Sequence, residues 1–208
     1  MTDLQEATRE RARPMAPDDR RAAMVQAVIP LLKQHGRDVS TRQIAEACGV
    51  AEGTVFRAFK DKESLITAAI EAYFDPLPFR AAIAGIDSDL PVEEKLRAVL
   101  TLLRERFTGV IGFMSALRMT DGPPPVVSRA GDQWIDRLHD LFAPNLDELG
   151  VPVDLVGHHL RLVAFASSIP PFTMPHRFSD DELLALVAHG VLKTEGASTC
   201  SGASSSDS

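Results

Sequence analysis

A short glycine turn between two helical patterns constrains this chain more than any other feature. The stretch 40–65 has the sequence STRQIAEACGVAEGTVFRAFKDKESL. Ser40 opens one helical pattern, Gly49 closes it, and a second pattern begins three residues later. Two helices joined by a turn of about three to four residues that contains glycine form a helix-turn-helix, whose second helix enters the major groove of DNA. The spacing therefore predicts an element that contacts DNA.

Local signals set the bounds of both motif helices. Ser40 and Gln43 fit a capping box, in which each side chain accepts a hydrogen bond from the other residue's backbone N–H, so the first helix is predicted over 41–48. Gly49 supplies the left-handed backbone that ends this helix. The second helix, called the recognition helix, is predicted over 52–59.

The recognition helix is expected to turn Val55 and Phe59 inward, because positions i and i+4 share a face. The opposite side is predicted to contact DNA. Its candidate contact residues are Glu52, Gly53, Thr54, Phe56 and Arg57.

Phosphate contacts are predicted at the starts of the neighbouring helices. Asp61 can cap the helix that follows, and Lys62 lies in its first turn. A cation is unfavourable there for the helix dipole, but it suits a DNA phosphate beside free backbone N–H groups. Thr41 and Arg42, at the start of the first motif helix, complete the candidate DNA contacts.

The run from about Arg20 to Tyr73, about a quarter of the chain, resembles the DNA-binding domain of the TetR family of bacterial transcriptional regulators. The positions that agree with the family motif in register are Ile44, Ala45, Gly49, Val50, Gly53, Thr54, Phe59, Lys62 and Leu65. The resemblance implies a small N-terminal DNA-binding domain and a larger helical domain. In such a layout an inducer binds among the central helices, and the terminal helices form dimers.

Four positions depart from the family pattern. Ala51 replaces the Ser that usually caps the recognition helix, and the missing cap costs about 0.5–2 kcal/mol. Glu52 repels phosphates but can accept a hydrogen bond from a cytosine amino group. Phe56 and Ala58 replace a Tyr and a His or Tyr, so two phosphate contacts are lost, although Phe56 can still contact a thymine methyl group. These changes prevent the transfer of an operator sequence from relatives.

Charge is divided unevenly along the chain. Residues 1–62 contain 11 Lys and Arg against 9 Asp and Glu, and the remaining residues contain 11 against 20, which accounts for the net charge of −7. This asymmetry suits a protein that presents one end to phosphate and holds the other away from it. The acidic remainder disfavours a non-specific architectural DNA binder.

Composition favours a cytoplasmic protein. No apolar stretch approaches the roughly 20 residues of a membrane span. The charged N-terminus lacks the apolar core of a signal peptide. Cys48 and Cys200 provide no disulfide framework.

No alternating strand pattern is present, so the predicted fold class is all-α, with an N-terminal three-helix helix-turn-helix DNA-binding domain joined to a larger helical ligand-binding and dimerisation domain. The predicted organisation is a flexible arm at 1–17, the DNA-binding domain at 18–74, the helical domain at 75–194 and a disordered tail at 195–208. The first helix is expected over 19–35. Pro30 lies inside that pattern, and the sequence offers no reason for it.

Beyond the DNA-binding domain, a connection punctuated by proline is expected, followed by five helical segments. The connection covers 75–91, and the segments are predicted at 92–107, at 108–119, from after Pro125 to about 149, at 153–169 and at 180–192. The segment at 108–119 is nearly all apolar and is expected to be buried.

The sequence contains no recognisable catalytic or metal-binding constellation. His158 and His159 are adjacent, so they point about 100° apart on a helix, unlike the i, i+4 histidines of zinc-binding helices. An interface or core role is favoured for them, and Cys48 is interpreted as a small packing residue. No nucleophile elbow and no glycine-rich phosphate loop is present. The chain is predicted to be no enzyme and to need no metal or cofactor.

An apolar cluster is the candidate ligand site. Met and aromatic side chains between helices form an adaptable wall suited to small apolar ligands. The six candidates are Phe107, Phe113, Met114, Leu117, Met119 and Trp134. For any single one of them, ordinary core packing is the favoured alternative.

Two apolar stripes in the last two helical segments predict a dimer. A four-helix interface across a two-fold axis would bury both stripes, whereas a single chain can bury one of them internally. The candidate interface residues are Leu155, Leu162, Phe165, Ala166, Leu184, Val187 and Val191.

The leading interpretation is a homodimeric transcriptional repressor that binds a pseudo-palindromic operator with half-sites about 34–36 Å apart. A small apolar ligand would release it, provided that the ligand binds two subunit arrangements with different affinity. The alternative is a helical small-molecule-binding protein or enzyme with a vestigial motif, which Phe56 and Ala58 keep open.

Overall fold

The regular secondary structure of the described residues is helical. The computed structural model describes residues 16–120, 122, 124, 133–169 and 178–193. Among these residues no strand is formed, apart from an isolated antiparallel bridge between Leu149 and Leu192. The predicted all-α class is confirmed. The arm expected at 1–17 lies almost wholly outside the described residues, and the tail expected at 195–208 lies wholly outside them.

The helices divide into two groups along the chain. They are α1 (Pro17–His35), α2 (Thr41–Cys48), α3 (Glu52–Ala58), α4 (Lys62–Phe74), α5 (Leu77–Ala84), α6 (Val92–Ala116), α7 (Gln133–Phe142), α8 (Val153–Ser168) and α9 (Asp180–Val191). Short 3-10 turns cover Gly36–Asp38 and Ala143–Asn145. The chain separates between Tyr73 and Phe74 into two compact units.

In the first unit, α1 packs against both α2 and α3. The apolar residues of α1 recur at helical spacing, so one face is buried. Ile44, Val55 and Phe59 are buried on the neighbouring elements. The helix begins at Pro17 because proline is tolerated in a first turn, where its missing N–H has no intrahelical acceptor. Pro30 lies within α1 and is exposed.

The second unit is built around α6, which packs chiefly on α8 and also contacts α5, α7 and α9. Each of these helices contributes one apolar face to a common core. The fully buried members of that core include Ile83, Leu96, Val99, Leu138, Phe142, Val156, Leu160 and Val187.

The predicted connection over 75–91 is wrong, because α5 occupies its first half. Pro76 is the N-cap residue of α5, and Pro78 lies in the first turn. Both prolines therefore stand at the start of the helix, where a backbone N–H would have no intrahelical acceptor, so its absence costs no hydrogen bond. Phe79 and Ile83, spaced at i and i+4, pack inward on the same core.

The predicted division of α6 into two segments is also wrong. The helix runs unbroken through Gly109 and Gly112 to Ala116. Glycine costs only about 1 kcal/mol relative to alanine inside a helix, so it does not end one as proline does. Phe113 and Leu117 are buried in the part expected to be buried, whereas the other apolar residues there are only half-buried.

The helix expected to extend to about 149 ends instead at Phe142. A 3-10 turn that contains Pro144 follows directly. Proline disfavours helical backbone at the residue before it and lacks the N–H that the next helical turn would need. The α-helix therefore stops two residues before Pro144.

A buried lysine is the polar exception in the core of the second unit. Lys95, on α6, is fully buried and donates a hydrogen bond to Asn145 Oδ1. Asn145 Nδ2 in turn donates to Glu148 Oε1 at 2.6 Å. A buried polar group needs such partners to offset its lost hydration. The sequence analysis missed Lys95, although its position between Val92 and Val99 on the apolar face was a usable signal.

Gly157→Ala is expected to destabilise the protein, whereas Gly112→Ala is not. A Cβ at Gly157, on α8, would stand 2.9 Å from Leu138 Cδ1 and 3.5 Å from Ile135 Cγ1. Overpacking a core costs about 1–3 kcal/mol, which exceeds the ~1 kcal/mol that alanine gains over glycine in a helix. A Cβ at Gly112 meets nothing within 4 Å, so only the gain remains there.

Thermal unfolding followed by circular dichroism measures the difference. The Tm should fall for Gly157→Ala and stay equal or rise for Gly112→Ala. A rise in both variants would contradict the close packing of α7 against α8.

Candidate nucleic-acid interface

The turn between α2 and α3 has the predicted left-handed backbone. Gly49 adopts φ 64° and ψ 32°. Its N–H donates to Glu46 O at 3.1 Å, and the N–H of Val50 donates to Ala45 O at 3.0 Å. These bonds close α2, whose bounds match the predicted 41–48. The chain therefore re-enters helix at α3 after only a short turn.

Capping chemistry differs between the two motif helices as predicted. The N–H of Gln43 donates to Ser40 Oγ at 3.2 Å, and the N–H of Ser40 donates to Gln43 Oε1 at 2.8 Å. Ala51 provides no side-chain cap to α3. The recognition helix ends at Ala58, one residue before its predicted end, because Phe59 adopts extended backbone with φ −128°.

The recognition helix presents two distinct faces. Val55 and the adjoining Phe59 are buried, and the Arg21 guanidinium lies 4.6 Å from the centre of the Phe59 ring. Phe56 is 46% exposed, and Arg57 is exposed beside it. On the same helix Glu52 and Gly53 are exposed and Thr54 is half-buried. The predicted inward positions are confirmed, and Phe56 and Arg57 face outward as predicted, whereas Thr54 is only partly exposed.

Arg42, a candidate phosphate contact, is already paired within α2. Its Nε donates to Glu46 Oε1 at 2.9 Å, and both side chains are largely exposed. The hydrogen bond and the charge of Glu46 raise the pKa of the Arg42 guanidinium, and the Glu52 carboxylate adds to the effect. Thr41, the preceding candidate, is half-buried at the start of the helix.

Lys62 has an internal role that the sequence did not indicate. Its Nζ donates to Arg37 O at 3.3 Å and to Val39 O at 3.2 Å. These bonds hold the segment that follows α1 against the start of α4. The predicted cap at Asp61 is confirmed, since the N–H of Ser64 donates to Asp61 Oδ1 at 2.7 Å. Hydrogen bonds from Ser64 lower the pKa of the Asp61 carboxyl.

Two other cations of this unit form no hydrogen bond or ion pair among the described residues. Arg57 lies in the last turn of α3, and Lys60 follows it. Both side chains are exposed, and no described acid or carbonyl accepts from them. Their charge is therefore available to a phosphate.

Cys48 is a packing residue at the end of α2. It is half-buried, its Sγ lies 3.9 Å from Met24 O, and burial raises the pKa of its thiol. A raised pKa disfavours the thiolate that redox chemistry requires.

The six ligand candidates do not form one wall. Phe113, Leu117 and Trp134 are buried, whereas Phe107, Met114 and Met119 are half-buried. The ring-centroid distances in three separate aromatic pairs are 6.1 Å for Phe113 with Phe74, 6.1 Å for Trp134 with Phe79 and 5.3 Å for Phe107 with Phe165. An open groove of about 800 Å³ beside α6 is lined by other residues, including Ile86, Leu102, Glu94 and Glu105.

The candidate interface residues fall into two groups. Four residues of α8 are exposed, namely Leu155, Leu162, Phe165 and Ala166. Three residues of α9 are buried inside the same subunit, namely Leu184, Val187 and Val191. Assignment of these three α9 residues to a subunit interface is therefore wrong, because α9 uses that apolar face to cover the core of its own chain.

Metal-binding groups and membrane spans are both absent from the described residues. Within the part of the chain that the structure describes, no three His, Cys, Asp or Glu side chains are grouped closely enough to hold a metal ion. Over the same residues, no helix has both the length and the apolar character that crossing a membrane requires.

Part of the first unit matches the model of a known protein family. Residues 26–69 match the family model described as bacterial regulatory proteins, tetR family. An uncharacterised HTH-type transcriptional regulator of Mycobacterium tuberculosis is 29% identical over 87 residues, which cover 42% of this chain and only 37% of that relative. The resemblance predicted from the motif is confirmed.

Two further proteins are similar over most of the chain. The HTH-type transcriptional repressor KstR2 of Mycolicibacterium smegmatis is 26% identical over 202 residues, covering 88% of this chain and 96% of that one. The crystal structure of the TetR transcriptional regulator SCO0520 from Streptomyces coelicolor superposes with a TM-score of 0.54 at 26% identity, covering 84% of this chain and 99% of that one.

Lys62→Ala is expected to lower the thermal stability of the protein, and Lys60→Ala is not. The first change removes two hydrogen bonds from a charged donor to the Arg37 and Val39 carbonyls. Their loss costs about 1–3 kcal/mol. Lys60 has no such partner and serves as the matched control. Equal Tm values for both variants, measured by circular dichroism, would contradict the structural role of Lys62.

Proposed function

We propose that the protein is a sequence-specific transcriptional repressor of the TetR family, because residues 26–69 match that family's model and carry the helix-turn-helix. It acts in the cytoplasm as a homodimer on a pseudo-palindromic operator, and a small apolar ligand releases it. Similarity to a protein named as a transcriptional repressor, over nearly the whole length of both chains, supports the choice of repressor.

The outward face of α3 is the observation that carries this proposal. The glycine turn makes α3 a short helix whose buried side faces α1 and whose other side is open. A helix of this kind, presented beyond a first motif helix, is the element that enters a major groove. No other described element combines that exposure with the motif.

We assign a contact to each exposed residue of α3. Arg57 binds a phosphate, because it lies past the first turn and forms no hydrogen bond or ion pair with any described residue. Glu52 accepts from a cytosine amino group, and Phe56 contacts a thymine methyl group. Gly53 and Thr54 allow close approach of the helix to the bases.

The remaining contacts are to the DNA backbone. Thr41 and Arg42 lie at the N-terminus of α2, where free N–H groups favour a phosphate. An ammonium has three N–H donors, and Lys62 uses two of them to bind the Arg37 and Val39 carbonyls. One donor therefore remains for a phosphate. These contacts position the protein without selecting a sequence.

The dimer interface in this proposal is formed by α8. Leu155, Leu162 and Phe165 lie on one exposed stripe of that helix, together with Ala166, which permits close approach. Leu186 is the exposed apolar residue that α9 adds. A contiguous apolar stripe of this kind is typical of a subunit interface.

The ligand in this proposal binds against α6. Phe107 and Met114 are seven residues apart and half-buried, so they form one accessible face, and Met119 follows it. The other three ligand candidates, Phe113, Leu117 and Trp134, are buried and lie outside this accessible face. A compound that releases the operator complex in a fluorescence-anisotropy assay should lose its effect on Met114→Glu. Retention of the full effect would place the ligand elsewhere.

Selection of bound sequences from random duplex DNA with the purified full chain tests the proposed function. The expected result is a pseudo-palindrome whose half-sites are about 34–36 Å apart. Arg57→Ala should weaken binding to that operator and to random duplex alike, since a phosphate contact is lost. A folded protein that enriches no sequence and shifts no duplex would instead support the helical small-molecule-binding protein or enzyme with a vestigial motif.

Leu162→Asp is expected to produce monomers, whereas Leu77→Asp leaves the dimer intact. Both leucines are about equally exposed, at 66% and 63%, but Leu77 lies on α5. An aspartate at 162 would bury an unpaired charge in the apolar interface. Light scattering at micromolar concentration gives the mass, and a monomeric wild type would disprove the interface. Val187→Asp should unfold the protein, because Val187 is buried within its own subunit.

A further inference from the structure

The cations of the first unit differ in whether they are already neutralised. Arg42 lies in the first turn of α2 and pairs with Glu46, one turn further along the same helix, at 2.9 Å. Arg57 and Lys60, which follow in the chain, form no hydrogen bond or ion pair with a described residue. Arg42 is therefore set apart from two other exposed cations by a carboxylate on its own helix.

The direction of this pairing matters for phosphate binding. The free N–H groups that favour a phosphate stand at the N-terminus of α2, beside Arg42. Glu46 lies toward the C-terminal end of the helix, so the ion pair draws the Arg42 side chain away from that site. The Glu52 carboxylate adds further negative charge near the same guanidinium.

We propose that Glu46 limits the affinity of this protein for DNA by holding Arg42 away from the phosphate that Arg42 binds in the complex. Glu46 is a positioning residue, since it acts through Arg42 and does not itself contact DNA. This inference rests on the proposed DNA-binding function. An ion pair between exposed side chains is weak, so in the complex Arg42 is shared between Glu46 and the phosphate and makes only part of its phosphate contact.

The salt dependence of binding reports this competition. Each phosphate that a cation neutralises releases counterions and steepens the plot of log affinity against log salt by about 0.9. While the Glu46 carboxylate stays beside Arg42, the pair contributes little to that slope. Removal of the carboxylate therefore restores one full phosphate contact.

Glu46→Gln tests the proposal, because glutamine keeps the size of the side chain and removes its charge. Affinity for the selected operator and for random duplex should rise about five- to tenfold at about 0.1 M salt, and the slope should steepen by up to about 0.9. Glu71→Gln is the matched control, since Glu71 is an exposed acid on α4 and its loss changes the net charge equally. It should change affinity by no more than about twofold. Equal gains in Glu46→Gln and Glu71→Gln would overturn the proposal.

A double-mutant cycle shows whether Glu46 acts through Arg42. In the Arg42→Gln background, the gain from Glu46→Gln should shrink at least about threefold, because no guanidinium is left to release. An undiminished gain would show general repulsion of DNA by Glu46 and would overturn the proposed positioning role. Failure of the folded wild type to bind any duplex would instead disprove the proposed function itself.

Discussion

The left-handed backbone at Gly49 is the constraint on which the DNA-facing surface depends. A Cβ built at this position would meet nothing within 4 Å, so the site has room for a side chain. What demands glycine is the backbone itself, since φ of 64° costs a residue with a Cβ roughly 1–2 kcal/mol. The turn sets where α3 begins, and the start of α3 decides that Val55 and Phe59 face α1. Every proposed base contact follows from that choice.

Elements whose bounds come from local chemistry were predicted well, and those that depend on context were not. The capping box of Ser40 and the stop at Gly49 act within a few residues, so α2 was predicted residue for residue. In the sequence alone, Pro78 indicates a break between helices. In the structure it lies in the first turn of α5, where a helix tolerates proline. The break predicted after Phe107 does not form, and Gly109 and Gly112 lie within α6, because packing along a long helix readily offsets their small cost.

The sequence identified the cations of the candidate site but not their partners. Arg42 and Glu46 stand at i and i+4, so their pairing was available from helical spacing alone. The ion pair of Arg37 with Glu63, at 3.1 Å, joins residues 26 positions apart and depends on the fold. The hydrogen bonds from Lys62 to the Arg37 and Val39 carbonyls depend on the fold in the same way. Which charges remain available to DNA is therefore a property of the folded unit.

A periodic apolar stripe predicts burial without saying what provides it, and α8 and α9 illustrate the difference. Helix α9 buries one apolar face in the core of its own subunit and has little other apolar surface. Its apolar stripe therefore needs no second subunit to cover it. Helix α8 buries Val156 and Leu160 against the core and still presents Leu155 and Leu162 on another face. A helix that is apolar on two faces needs a packing partner for each, and the described part of its own subunit covers only one. The uncovered face of α8 is for that reason the stronger argument for a second copy of this chain than the stripe on α9.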